Sequence, residues 1–278
     1  MDGTLITVAP TGAESAKADV PALPVTVDEV VATARDCETI GAAVIHLHVR
    51  GADTKPTLDL GRVREVVGAV REATDLVVQL SSGGAVTDPF DARLAVLDAE
   101  PDAASLTLGT VNFGRDVFNN PWDLIVELHT QMQQRGIVPE YEVFDLGQLA
   151  TLARLLDRYG PPHGGHVHVD LVMGVPGGMP GTAAALTACV AALPPGASFA
   201  ATGIGRTSIP VMLAALSAGG HLRVGMEDTL TYAPGEAVRN NAQLVARAAG
   251  LARIAQRPPL TTDEARRMLG IQQMEAAP

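Results

Sequence analysis

Ile45-His46-Leu47-His48-Val49-Arg50 reads as a β-strand that carries two histidines. Side chains two apart on an extended chain share a face, so His46 and His48 project together, with Val44, Leu47 and Val49 at the apolar positions around them. Just downstream, Val63, Val66, Val67 and Val70 recur at helical spacing between about Leu60 and Ala73. The strand and the amphipathic helix after it form one unit, and the rest of the chain repeats that unit.

Upstream, a strand from Gly3 to Ala9 runs into Pro10-Thr11-Gly12-Ala13-Glu14. The capping-box pair Thr26 and Glu29 then opens a helix with Val30, Ala34 and Cys37 on one face and Gly41 at its end. Downstream, a strand from Asp75 to Leu80 leads to Ser81-Ser82-Gly83-Gly84, whose glycines leave backbone N–H groups free to cradle an anion. Asp88 is expected to cap a helix that starts at Pro89, and Asn120 one that starts at Pro121 and reaches Arg135. The strand Ala103 to Leu108 puts Ser105 and Thr107 on one face, and Ile137 to Val143 does the same with Glu140 and Glu142. A helix over Leu146 to Tyr159 precedes His166-Val167-His168-Val169-Asp170, a second His-x-His strand. A helix over Thr182 to Ala192, a strand from Ser198 to Ala201, the strand His221-Leu222-Arg223-Val224-Gly225-Met226-Glu227-Asp228 and a helix from Glu236 to about Ile254 complete the series. Thr261 and Glu264 form a capping box for a last short helix. Gly203-Ile204-Gly205-Arg206 lacks the third glycine of a dinucleotide fingerprint, since position 208 is Ser208.

Eight strands, each followed by a helical pattern, predict a parallel α/β sheet closed as a (β/α)8 TIM barrel. One barrel domain over residues 1–278, with a C-terminal helical extension, accounts for the length. Glu14, His46, His48, Ser81, Ser105, Glu142, Arg206, Arg223, Glu227 and Asp228 all fall late in a strand or in the loop after it, where barrel active sites are built. Two imidazoles on one face invite a divalent metal, and Glu227 supplies a carboxylate as third ligand if the two strands converge. The second His-x-His ranks below the first, because ligands strung along one strand would strain a metal site.

The chain is 47% hydrophobic and 3% aromatic, which suits a globular enzyme-sized domain. A net charge of −11 and a pI near 5.0 argue against nucleic-acid or anionic-membrane partners, since both need a basic footprint. No apolar run reaches the ~18 residues of a spanning helix, and a cytoplasmic location is expected. Two cysteines are too few for a disulfide framework, and Cys37 reads as packing.

Pro10-Thr11-Gly12-Ala13-Glu14, His46-Leu47-His48-Val49-Arg50, Ser81-Ser82-Gly83-Gly84, Leu108-Gly109-Thr110-Val111-Asn112-Phe113, Pro139-Glu140-Tyr141-Glu142-Val143-Phe144-Asp145-Leu146-Gly147 and Gly219-Gly220-His221 through Asp228 together resemble the β-keto acid cleavage enzymes. The resemblance runs in one order from about residue 6 to 270. It implies a Zn²⁺-dependent barrel that condenses a β-keto acid with acetyl-CoA to give acetoacetate and a new acyl-CoA, and it implies a homotetramer. Carried over by motif, His46, His48 and Glu227 are the implied zinc ligands, Asp228 the general base and Arg223 its charged neighbour, expected to keep Asp228 ionised. Glu14, Ser81, Gly84 and Glu142 match substrate-side groups, with Ser105 or Thr107 as a substrate-binding hydroxyl. Ser82 stands where threonine is common, and His166 lies outside the pattern. Tyr141, His168, Met173 and Met226 are expected among the residues that set specificity. The alternatives are a CoA-independent metal-dependent aldolase, a non-haem Fe(II) enzyme and a non-catalytic metal- or keto-acid-binding barrel; the spare carboxylate beside Glu227 argues against the last.

Overall fold

The computed structural model describes residues 3–271. Eight parallel strands close on themselves: β1 (Ile6–Val8), β2 (Val44–Leu47), β3 (Val77–Leu80), β4 (Ala103–Thr107), β7 (Val138–Val143), β8 (His168–Met173), β9 (Ser198–Gly203) and β10 (His221–Val224), with β10 pairing back onto β1. The alternation along these strands sorts side chains between two environments. On β7, Tyr141 and Val143 join the apolar layer under the helices, and the Tyr141 hydroxyl meets His129 Nδ1 at 3.0 Å. Their neighbours Glu140 and Glu142 are buried inside the barrel, in register with Ser105 and Thr107 on one side and with His168 and Asp170 on the other.

The outer ring comprises α1 (Val27–Ile40), α2 (Leu60–Ala73), α3 (Phe90–Ala95), α4 (Trp122–Arg135), α5 (Leu146–Tyr159), α6 (Ala183–Ala191), α7 (Ser208–Ser217) and α8 (Asn241–Ile254). The expected capping box opens α1: Thr26 accepts from Glu29 N–H, and Glu29 accepts from Thr26 N–H. Cys37 is buried on the inner face of α1 with Val30 and Ala34. Two expected caps are corrected. Neither Asp88 nor Asn120 caps a helix, because each finds another partner: Asp88 accepts from Ala85 N–H, and Asn120 Oδ1 accepts from Arg93. Glu236 likewise does not open a helix; α8 begins at Asn241 behind the side-chain cap of Asn240.

Two hairpins interrupt the βα alternation. β5 (Val111–Phe113) and β6 (Asp116–Phe118) stand above β4, while β11 (Thr231–Ala233) and β12 (Glu236–Ala237) follow β10. At the opposite end, α9 (Thr262–Leu269) crosses the N-terminal ends of the strands, packing Ala265, Met268 and Leu269 against Leu5, Val44, Val77 and Val138. Leu260 N–H donates to Thr4 O beside it, at 2.9 Å. Among the described residues, no helix is long and apolar enough to cross a membrane.

Candidate active site

A cavity of about 540 Å³ opens at the C-terminal ends of the strands. His46, near the end of β2, is 1% exposed, and His48 lies one residue beyond the strand. His46 Nδ1 is 2.5 Å from Gln79 Oε1. An amide oxygen only accepts, so Nδ1 carries the proton and Nε2 is left with its lone pair. That Nε2 is 3.9 Å from Glu227 Oε1, and His48 Nε2 is 3.6 Å from the same oxygen.

Two glycines bring Glu227 to the histidines. A Cβ on Gly225 would stand 1.8 Å from Ala9 O, so only glycine lets the end of β10 press on β1, where Glu227 N–H donates to Ala9 O at 3.2 Å. Gly12 has φ +63°, and a Cβ there would lie 2.7 Å from Glu227 Cγ. Arg50 holds the Gly12 loop in place by donating to Gly12 O and Ser15 O.

His46, His48 and Glu227 are the one group among the described residues whose potential ligand atoms gather within 4.8 Å. The donor set fits a divalent metal. A tetrahedral ion with bonds of about 2.1 Å spaces its ligand atoms about 3.4 Å apart, close to the separations found here. Glu227 Oε2 is buried without a partner. Burial, with Arg223 nearby, holds His46 down at about 3, which keeps its imidazole neutral as a metal ligand must be. Burial alone would raise the Glu227 carboxyl, but Arg223 outweighs it and holds it at about 2.

Beside this group, Arg223 gathers carboxylates. It donates to Asp228 Oδ1 at 3.1 Å and Oδ2 at 3.4 Å, to Glu142 Oε1 at 3.2 Å, and to Glu227, and its Nη1 is 3.9 Å from Asp170 Oδ2. Four acids around one guanidinium leave the cluster short of positive charge. Arg223 pulls Asp228 down as expected, but burial and the neighbouring Glu227 prevail, and Asp228 is pushed up to about 7. A carboxylate with that proton affinity suits proton transfer near neutrality.

Glu14, Ser81, Gly84 and Glu142 line the cavity with His48, and Glu14 is exposed at its rim. Ser105 and Thr107 do not line it: Ser105 Oγ accepts from Ser82 N–H at 3.3 Å, and Thr107 donates to Glu142 Oε2 at 2.7 Å. Thr107 braces a carboxylate that does, and Ser105 braces Ser82 in the loop that carries Ser81, Gly83 and Gly84. Arg206 is exposed outside the cavity. Tyr141, His168, Met173 and Met226 are buried away from it, Tyr141 because it faces α4.

The second His-x-His lies beneath this site. Ser198 Oγ stands 2.7 Å from both His166 Nε2 and His168 Nδ1, and His168 Nε2 faces Glu140 Oε2 at 3.5 Å. Asp170 is engaged by Thr202 at 2.7 Å, so it completes no metal set with these histidines. The sequence reading missed Gln79, whose signal was a lone amide in an otherwise apolar strand. It also missed an apolar wall built from Phe113, Phe118, Phe144, Val172 and Val175, which lie on separate loops and strand ends with no shared periodicity.

Comparison with known proteins places the whole chain. A 3-keto-5-aminohexanoate cleavage enzyme of Acetoanaerobium sticklandii is 38% identical over 277 residues, covering 98% of this chain and 99% of that one. A 3-oxoadipate:acetyl-CoA acetyltransferase of Cupriavidus necator is 35% identical over 275 residues, covering 98% and 96%. The apo structure of ObcA superposes with a TM-score of 0.80 at 20% identity, over 90% of this chain and 66% of that one, and supports the barrel fold. The family model for beta-keto acid cleavage enzymes matches residues 4–271, and the chain belongs to that family.

Proposed function

We propose that this protein condenses a β-keto acid with acetyl-CoA, with Zn²⁺ held by His46, His48 and Glu227, and releases acetoacetate and a new acyl-CoA. One juxtaposition carries the reading: a metal-ligand triplet stands beside Asp228, a buried carboxyl held by two hydrogen bonds from Arg223, on the wall of one cavity. The name of the Cupriavidus relative, an acetyl-CoA acetyltransferase, supports the choice of co-substrate.

Zn²⁺ bound there supplies Lewis acidity to the oxygens of a β-keto acid. Asp228 takes a proton from the carbon between ketone and carboxylate, and Arg223 aims it through two hydrogen bonds. The carbanion attacks the thioester carbonyl of acetyl-CoA; a carbon–carbon bond forms, the carbon–sulfur bond breaks, and CoA leaves as the thiolate. The thiolate then adds to the original ketone carbon. The bond between that carbon and its α-carbon breaks, the electron pair returns to the α-carbon, and Asp228 gives back the proton. Glu142, itself held by Thr107 and Arg223, with Ser81, Gly84 and Glu14, borders the substrate. We further propose a cytoplasmic location and, on the family resemblance, a homotetramer.

The test is acetoacetate formation from acetyl-CoA and a panel of β-keto acids, with zinc-loaded and chelator-stripped protein side by side. Product that needs both zinc and acetyl-CoA is expected. Cleavage of a keto acid without acetyl-CoA would replace the proposal with a lyase.

A further inference from the structure

Polar and apolar groups occupy opposite arcs of the cavity. The histidines, Glu227 and Asp228 stand on β2 and after β10, the two strands that flank β1. Across the barrel, Phe113, Phe118, Phe144, Val172, Val175 and Ile204 rise from the ends of β4, β7, β8 and β9 and from the hairpin above β4. They pack as a cluster separate from the main core, so their burial serves the cavity wall and not the barrel's own layers. Phe113 meets Phe118 and Phe144 edge to face, with ring centroids 6.3 and 6.2 Å apart. The chain has only five phenylalanines, and three of them are here. The wall is also held from behind: the Arg93 guanidinium lies 4.8 Å from the Phe118 ring centroid and donates to Ser82 O, Asn119 O and Asn120 Oδ1. Of the charged residues on this side, Glu142 is engaged by Thr107 and Arg223, and Arg115 and Asp116 are exposed in the hairpin at the rim.

Resting on the proposed function, we propose that the substrate is a β-keto acid whose β-substituent is an uncharged apolar group, a branched alkyl chain or an aryl ring, seated against this wall. The ketone and carboxylate at one end of such a molecule are drawn to the polar arc. Its other end is then directed across the cavity, where an apolar group sheds water at no cost and a charged one would lose its hydration with no partner.

The experiment is a comparison of kcat/KM, with acetyl-CoA and zinc present, for 3-oxo acids bearing propyl, isobutyl and benzyl substituents against carboxyethyl, aminoalkyl and trimethylammoniomethyl ones. We expect a rise of about fourfold per methylene added to the apolar series. Charged members of similar size fall about 100-fold or more below it. Phe113→Asp, at a half-buried position that tolerates the change, should raise KM for the benzyl acid at least tenfold, leave KM for acetyl-CoA unmoved, and improve the aminoalkyl acid relative to the benzyl one. Preference for any charged substituent would overturn the inference and leave the proposed function standing. A rise in the acetyl-CoA KM alone would also overturn it, by giving the wall to the CoA arm. No turnover of any member would overturn the proposed function and this inference with it.

Discussion

His46-Leu47-His48 and His166-Val167-His168 are the same three-residue pattern on two parallel strands of one barrel, but they sit at opposite ends of those strands. The first straddles the C-terminal end of β2, with His48 just past it; the second straddles the N-terminal end of β8, where His168 is the first strand residue. At the mouth, an imidazole meets a cavity and a carboxylate brought in by two glycines. At the floor, Ser198 stands between the two imidazoles and Glu140 lies beyond. Depth in the barrel, and not the motif, decides whether a histidine pair is open to a metal or bound into the structure.

The largest expected effect comes from removing the carboxylate that distinguishes the mouth. Glu227→Gln should weaken zinc binding more than about 100-fold in a chelator competition, beyond the usual effect of an outer-shell change, and abolish turnover; His166→Ala should leave zinc affinity unchanged. Equal losses in the two variants would erase the distinction. Asp228→Asn should retain zinc and lower kcat by about 10³-fold, within the range for a lost general base. Full activity in that variant would remove Asp228 from the chemistry. Gln79→Leu takes away the acceptor that fixes the His46 tautomer, and zinc affinity should fall about 10- to 100-fold with little change in the unfolding midpoint.

The floor should answer in stability instead. His168→Ala removes a buried ring bonded to Ser198 and should cost about 2–3 kcal/mol in denaturant unfolding, with zinc affinity intact. Reckoned per pH unit, the smallest effect is a titration. Burial and the nearby Asp170 push the Glu140 carboxyl from 4.5 up to about 8, so between those values the unfolded chain has released a proton that the folded one still holds. Stability through Glu140 is therefore fully present below about 4.5 and lost as pH rises toward 8, with a slope of at most about 1.4 kcal/mol per pH unit. Glu140→Gln lacks this loss, and its unfolding midpoint should gain on the parent's as pH rises. A constant gap would mean that Glu140 is ionised in the fold.

Most of the barrel was legible because each strand and helix announces itself by its own period, and eight such units leave few ways to close. His46, His48, Glu227 and Asp228 were legible for a related reason, since each lies where a strand runs out. What escaped the sequence depended on distant partners. Asp88 and Asn120 have the right spacing for caps, but Ala85 and Arg93 compete for them. The proton affinity of Asp228 depends on four acids from three segments meeting one arginine. The two hairpins are too short to carry a period, and the apolar wall is assembled from single residues on separate loops.

The helix that seals the floor has a kinetic meaning. With Met268 and Leu269 of α9 packed under the strands, the barrel is a blind-ended vessel, and whatever reaches His48 arrives through the opening by which it must leave. Arrival and departure share that one doorway, whose rim includes Glu14 and the hairpin of β5 and β6.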